Sequence, residues 1–299
     1  MHRISVVIAS KVGPPFIDHC IASVAGEAAE LDAEVIVVTP RTGDYVERIQ
    51  GKFPSVRVIS DPEITKIPAL RRRGVEEATG EYVAVIEEHC SAAPDWLKQT
   101  LAAFERGEGK YAAVGGAITD YGYDRTRDWV VYFIEYNGAL PPVAEGETDN
   151  LNDANIAYPR QLLLEHIDLL DDGYWPMTLH PTLLASGHKL QAVPEMVVYH
   201  RGPFDFLYYL HQRFLFSRAF AGVRAQNQSP VRRLAYLVAA PIIPFMLLGR
   251  IGRTVISKRC RVGEFVRSLP LTMPALTVLV AGEWVGCLLG PGNALAEVE

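Results

Sequence analysis

Tyr82-Val83-Ala84-Val85-Ile86-Glu87-Glu88-His89-Cys90 runs from five residues of strand character directly into a turn carrying two carboxylates and an imidazole. The five have no polar alternation and are rich in β-branched side chains. That is the pattern of a strand covered on both faces, as in the parallel sheet of an α/β protein. The same pattern lies upstream at Ile4-Ser5-Val6-Val7-Ile8-Ala9, at Glu34-Val35-Ile36-Val37-Val38-Thr39 and, more weakly, at 56–60. Between these runs, Gly13-Pro14-Pro15 breaks the chain before Ile17, Cys20, Ile21 and Val24 at helical spacing, and helical stretches cover 44–52 and 66–79. Strand and helix alternating in this way predict a mostly parallel sheet with helices on both faces. Ligands of such sheets bind beyond the carboxyl ends of the strands, which directs attention to residues 9–12, 39–41 and 87–90.

The pattern is more mixed between 111 and 200. Gly115-Gly116 is followed by an aromatic stretch from Trp129 to Tyr136, helices are expected at 159–167 and 177–187, and 189–199 reads as a strand or hairpin arm ending at His200-Arg201. After 204 the character changes again. Phe204, Phe206, Leu207, Leu210, Phe214 and Leu215 alternate with Arg213, Arg218 and Arg224 as in a basic amphipathic helix, and two apolar stretches follow at 234–248 and 271–289. Both stretches contain prolines, and the second contains Glu283. Arg250, Arg253, Lys258, Arg259 and Arg261 lie between them, so two full crossings would put this basic segment on the face opposite the first domain, against the positive-inside tendency. Interfacial or re-entrant helices on the cytoplasmic leaflet are therefore expected, with burial in a soluble core as the alternative. The expected division is 1–203, in halves 1–110 and 111–203, and a membrane-associated 204–299.

Composition narrows the function classes. The chain has 299 residues, of which 49% are hydrophobic, enough for a sizeable core, and its formal charge of -6 gives no general attraction to nucleic acid. Cys20, Cys90, Cys260 and Cys287 are widely scattered, which argues against a zinc ribbon or disulfide framework and for a reducing compartment. The strand beginning at Ile4 leaves no space for a secretory leader, so the first domain is expected on the cytoplasmic side.

Consecutive carboxylates and an imidazole at a strand's carboxyl edge suit a divalent cation, Mg2+ or Mn2+, the nitrogen being better tolerated by manganese. A solvated acidic turn fits the same residues.

Four segments together resemble the family 2 glycosyltransferases across most of residues 3–201. They are Ser5-Val6-Val7-Ile8-Ala9-Ser10; Ile67-Pro68-Ala69-Leu70-Arg71-Arg72-Arg73-Gly74 with Ala78-Thr79-Gly80-Glu81-Tyr82; Glu87-Glu88-His89; and Asn155-Ile156-Ala157-Tyr158 with Gly187-His188-Lys189-Leu190. The resemblance implies a GT-A-type fold and inverting transfer of a sugar from a nucleotide-diphosphate donor. Carried over by position, it implies donor contacts at Ala9, Ser10, Thr39, Arg71, Glu87 and Glu88, and a metal held by Glu88 and His89. Independently of the resemblance, His200-Arg201 at a strand's end suits either an additional metal ligand or phosphate donor, or the capping of surface carbonyls. Lipid-linked or glycan acceptors held near a membrane surface fit the basic apolar tail.

The departures are specific. Thr39-Pro40 stands where the family usually has an Asp that meets the base, and Glu87-x-His89 replaces Asp-x-Asp, as in a subgroup carrying Glu-Asp-His. The acidic residue expected before the helix ending at Gly187 is missing from Gly173-Tyr174-Trp175-Pro176-Met177-Thr178, which leaves Asp171 and Asp172 upstream as base candidates, with Glu88 as a catalytic carboxylate. Glu135 and Asp153 are further base candidates, and Trp129 and Trp175 are candidates for sugar stacking or core packing. A catalytically impaired relative that binds donor or a partner is the competing reading. A nucleotidyltransferase fits less well, because its Gly-rich basic N-terminal loop is absent.

Overall fold

The computed structural model describes residues 2–171, 175–201, 205–226 and 228–298. They form two compact units: Met1–Tyr121 with Gly138–Arg201, and Gly122–Asn137 with Gly202–Glu299.

The first unit is an α/β sandwich. Its strands are β1 (Ile4–Ala9), β2 (Glu34–Thr39), β3 (Val56–Ser60), β4 (Tyr82–Ile86), β5 (Cys90–Ala92), β6 (Tyr111–Asp120), β7 (Gly146–Thr148), β8 (Asn155–Pro159) and β9 (Lys189–His200). Among the described residues they make one sheet in the order β3-β2-β1-β4-β8-β6-β9-β5, with β7 on β9. The leading half, β3-β2-β1-β4, is parallel throughout, with Val7 opposite Ile36 and Val85. β8 then enters antiparallel to β4 and β6, while β6 and β9 run parallel. The long strand expected at 189–199 is present, whereas β5 and β7 are three-residue strands too short to leave a periodic signal.

Helices α1 (Phe16–Glu30), α2 (Asp44–Lys52), α3 (Ile67–Glu77) and α4 (Trp96–Gly107) complete the leading half of this unit. The odd-numbered side chains of β1, Val7 and Ala9, pack with Ile36 and Val38 of β2 and with Leu70 and Val75 of α3. This packing is close. A Cβ on Gly74 would lie 2.4 Å from Val7 Cγ1, so the glycine ending Arg71-Arg72-Arg73-Gly74 lets α3 seat on β1 and fixes where Arg71 emerges. Ser5 is a buried polar exception on β1: its Oγ accepts from Gly80 N at 2.9 Å and donates to Glu34.

The second unit is helical. It comprises α5 (Thr126–Glu135), and, beyond α6 (Arg160–Glu165) and α7 (Trp175–Ala185) of the first unit, α8 (Phe206–Gln226), α9 (Pro230–Ala239), α10 (Ile243–Lys258), α11 (Val262–Leu289) and α12 (Ala294–Glu297). The aromatic stretch at 129–136 is thus helical, with Trp129 and Phe133 stacked at 5.9 Å between centroids. The basic segment around Arg250 and Arg253 is part of α10. α8 and α11 approach at backbone distance, because a Cβ on Gly282 would fall 2.4 Å from Phe214 O and one on Gly286 2.3 Å from Arg218 O. Small residues four apart that admit a neighbouring backbone are the packing device of helices in apolar surroundings. Among the described residues, α11 alone is long and apolar enough to cross a membrane, and α9 and α10 form a pair bent by 78° that passes the same test jointly.

Candidate active site

The acidic turn after β4 separates its two carboxylates. Glu88 turns inward and is 3% exposed. Its carboxylate accepts from Ser10 Oγ at 2.7 Å, Lys11 N at 2.8 Å, Val12 N at 2.8 Å and Gly13 N at 2.9 Å. Three successive main-chain donors and a hydroxyl saturate both oxygens, so Glu88 fastens the β1–α1 loop to the end of β4. This differs from the catalytic and metal-binding roles expected for it, because no lone pair is left to meet an ion or a reacting hydroxyl. Above the same loop, Arg41 donates to Lys11 O at 2.9 Å and Val12 O at 3.0 Å, and Tyr45 OH lies 2.6 Å from Ser10 Oγ.

Glu87 turns the other way. His89 Nε2 lies 3.1 Å from one of its oxygens, and an Arg71 nitrogen lies 3.4 Å from the other. Arg71 is 3% exposed along its side chain and also pairs with Asp153. Its guanidinium is enclosed between two carboxylates, so it orders Glu87. The His89 ring meets His200 edge-to-face at 5.5 Å between centroids, because β5 and β9 pair Cys90 with His200. Asp120, at the end of β6, is opposite His200 in the other register and is likewise buried.

The electrostatics follow from this enclosure. Burial alone would raise Glu87, but the hydrogen bond and charge of His89, with Arg71 behind it, hold it well below the usual carboxylate range. Burial would lower His89, yet Glu87 outweighs it and raises the imidazole above its ordinary value. Burial, and then the His89 charge, bring His200 down to about 3, so that ring is neutral. Burial also raises Asp153, helped by Glu87 and opposed by Arg71.

The other expected residues are placed as follows. Ala9, Ser10 and Thr39 are buried at the carboxyl ends of β1 and β2, where Thr39 Oγ1 accepts from Arg41 N at 3.2 Å. Asp171 pairs with Arg72, which also meets Glu76. Asp172 lies outside the described residues. Trp175 is fully buried with Nε1 bonded to Leu170 O, and Trp129 is buried in the helical unit, so both are core aromatics. Glu135, also in the helical unit, accepts from Tyr209 OH at 2.9 Å and pairs with Arg213. α7, from Trp175 to Ala185, contains no carboxylate.

Sequence reasoning pointed to Arg41 only as part of the 39–41 edge, without a role, and missed Tyr45. Their position two and six residues beyond β2 was the available signal, since that edge was already implicated.

The chain matches glycosyl transferase family 2 over residues 5–166, more than half its length. It belongs to this family. The match covers both the Glu88-fastened loop and the Glu87–His89 turn. A glucosyl-dolichyl phosphate glucuronosyltransferase of Haloferax volcanii is 25% identical over 91 residues, and the match spans 29% of each protein. Among solved structures, the chain is similar to the mannosyltransferase PcManGT of Pyrobaculum calidifontis in complex with GDP-Man and Mn2+, with TM-score 0.59, 16% identity, and 97% of this chain and 87% of that one covered. It is also similar to GalNAc-T7 with UDP, GalNAc and Mn2+, at TM-score 0.51 and 16% identity over 68% of this chain and 44% of that one. A third likeness is to S. aureus TarS 1-349, at TM-score 0.50 and 15% identity over 95% and 90% of the two chains. At such identities the similarity is one of fold, and that fold is GT-A.

Proposed function

We propose that this chain transfers a sugar, with inversion, from a nucleotide-diphosphate donor to a lipid-linked or glycan acceptor at the cytoplasmic face of a membrane. The observation that carries the reading is the Arg71–Glu87–His89–His200 group at the carboxyl edge of the parallel half-sheet, beside the fastened loop 10–13. The complexes of PcManGT with GDP-Man and of GalNAc-T7 with UDP and GalNAc support a nucleotide-sugar ligand, and the glucosyl-dolichyl phosphate glucuronosyltransferase supports a lipid-linked acceptor.

Among the described residues, no three His, Cys, Asp or Glu side chains stand arranged around an ion. The chemistry of the donor set nevertheless fits one. Glu87 supplies carboxylate oxygens, His200 is held as a neutral imidazole, and His89 already points its Nε2 at Glu87. An oxygen and two imidazole nitrogens suit Mn2+ better than Mg2+. Glu87, His89 and His200 are therefore the residues that would hold it, with Glu87 replacing Glu88 in the expected set. A divalent cation there would neutralise the diphosphate leaving group. The protein's own contribution is orientation: Arg71 and Asp153 hold Glu87, and Glu88 holds the loop on which the nucleotide would lie.

Among the described residues, all but two of the exposed large apolar side chains, Tyr121 and Met177, belong to the helical unit, and this supports membrane attachment there through 204–299. Val231, Leu234 and Val238 of α9 and Phe245 and Met246 of α10 are all exposed. The division at 203/204 into a transferase domain and a membrane-associated tail is part of the same proposal.

The test is donor consumption. The full-length chain, incubated with GDP- and UDP-sugars, Mn2+ and a polyprenyl-phosphate acceptor, is expected to release nucleoside diphosphate, and Glu87→Gln to lower that rate at least ~100-fold. Two observations favour a second reading, binding without turnover: α7 has no carboxylate, and Asp171 is committed to Arg72. Donor binding at unchanged affinity with no release on any acceptor would select it.

A further inference from the structure

We propose that Arg201 donates to the diphosphate of the nucleotide donor as a fixed fork laid on the ring of Tyr121. This rests on the donor-binding reading above. The guanidinium carbon sits 3.5 Å from the centre of the Tyr121 ring. Arg201 Nε donates to Ser91 Oγ at 2.8 Å, and its main-chain N–H donates to His89 O at 2.8 Å. One edge of the guanidinium is therefore anchored and one face covered. Its two terminal nitrogens have no hydrogen-bond or ion-pair partner among the described residues.

That combination sets it apart from the neighbouring arginines. Arg71 is shared by Asp153 and Glu87, Arg72 by Glu76 and Asp171, and Arg41 bonds the carbonyls of Lys11 and Val12. A structural arginine at a strand end ordinarily satisfies a carboxylate or carbonyls with its terminal nitrogens. Among the described residues, the Arg201 side chain bonds only through Nε, and to a hydroxyl.

Its place in the fold supplies the ligand chemistry. β5 and β9 pair Ser91 with Tyr199 and Cys90 with His200, which puts Arg201 alongside the end of the Glu87–His89 turn. β6 brings Asp120 beside His200, so Tyr121, 52% exposed, follows at the same edge and carries the guanidinium on a ring facing outward. Tyr199 meets the Tyr121 ring edge-on at 6.0 Å and steadies it. A planar cation with two parallel free N–H groups matches two oxygens of one phosphate, and a lysine cannot reproduce the fork. Stacking and the Ser91 bond fix the rotamer before the ligand arrives, so little side-chain entropy remains to be lost on binding.

The experiment is calorimetric titration of the full-length chain with GDP, UDP, GMP and UMP in MnCl2. The wild type is expected to bind one nucleoside diphosphate more tightly than its monophosphate. Arg201→Gln should weaken the diphosphate ~10-fold or more while leaving the monophosphate unchanged, with Arg201→Lys intermediate. Tyr121→Leu, which loosens the fork without removing charge, should weaken the diphosphate several-fold with the same selectivity. Equal diphosphate affinity in Arg201→Gln, or parallel losses for both nucleotides, overturns the inference alone. So does a loss confined to competition by geranyl phosphate, which would assign the cation to the acceptor. A wild type that binds none of the four nucleotides overturns the donor reading, and this inference with it.

Discussion

The α/β unit and the helical unit bury their apolar residues by opposite rules. In the first, β1, β2 and β4 are buried nearly end to end, and the polar groups among them are individually satisfied, as Ser5 and Glu88 are. In the second, α9 and α10 leave Val231, Leu234, Val238, Phe245 and Met246 outside, and the tight contact is backbone to backbone at Gly282 and Gly286. One unit is built so that a few charged side chains are held in fixed orientations. The other presents an apolar surface, and its two longest helices meet over small residues.

The largest effect should come from attacking a satisfied charge in the first unit. Glu88→Ala would leave three main-chain N–H groups and a hydroxyl without their acceptor, at a cost of about 3 kcal/mol or more, a large share of a domain's stability. Thermal unfolding should show the loss; an unchanged midpoint would deny Glu88 its fastening role. Next comes His180, buried with Nε2 2.8 Å from Tyr158 OH and brought by burial down to about 4. Its folded value lies below the unfolded one of about 6.5, so the stability tied to the neutral ring is complete above that pH. It is lost as pH falls toward 4, by about 3 kcal/mol in all. His180→Asn should flatten that part of the stability–pH curve in denaturant titrations, and an unaltered slope would place the acid sensitivity elsewhere.

A substitution in the helical unit should leave the first unit untouched. Phe245→Asp, at a position 64% exposed, is expected to reduce binding to phosphatidylglycerol vesicles about tenfold, with nucleotide affinity unchanged. If vesicle binding persists, the exposed apolar face serves something other than lipid. The smallest effect is expected at Arg73, whose exposed pairs with Glu76 and Glu77 are ordinary helix-surface contacts. Arg73→Ala should change stability by no more than about 0.5 kcal/mol, in contrast to Arg71→Ala two residues earlier.

The same contrast explains what was legible in the sequence. Strands β1, β2 and β4 could be read because burial on both faces writes an uninterrupted apolar run, and α3 because its spacing is helical. Of Arg71, Arg72 and Arg73, helical geometry allowed only one or two to face the sheet; the structure buries Arg71 alone. Two kinds of information were out of reach. The helix containing Trp129 and Phe133 lies in the chain between strands of one unit and packs in the other, a long-range fact that local periodicity does not encode. The division of labour between Glu87 and Glu88 was also hidden. Side-chain alternation ends with the strand, and the groups that claim Glu88 lie more than seventy residues earlier.

That last arrangement bears on how such a site can be moved or inherited. Glu87-Glu88-His89 reads as a tripeptide motif, yet its central residue completes another segment. Grafted into a scaffold without a loop equivalent to residues 10–13, Glu88 would be an unshielded anion beside Glu87. It would repel that carboxylate and compete for His89. The transferable element is therefore discontinuous: one turn and one distant loop, which must change together if either changes.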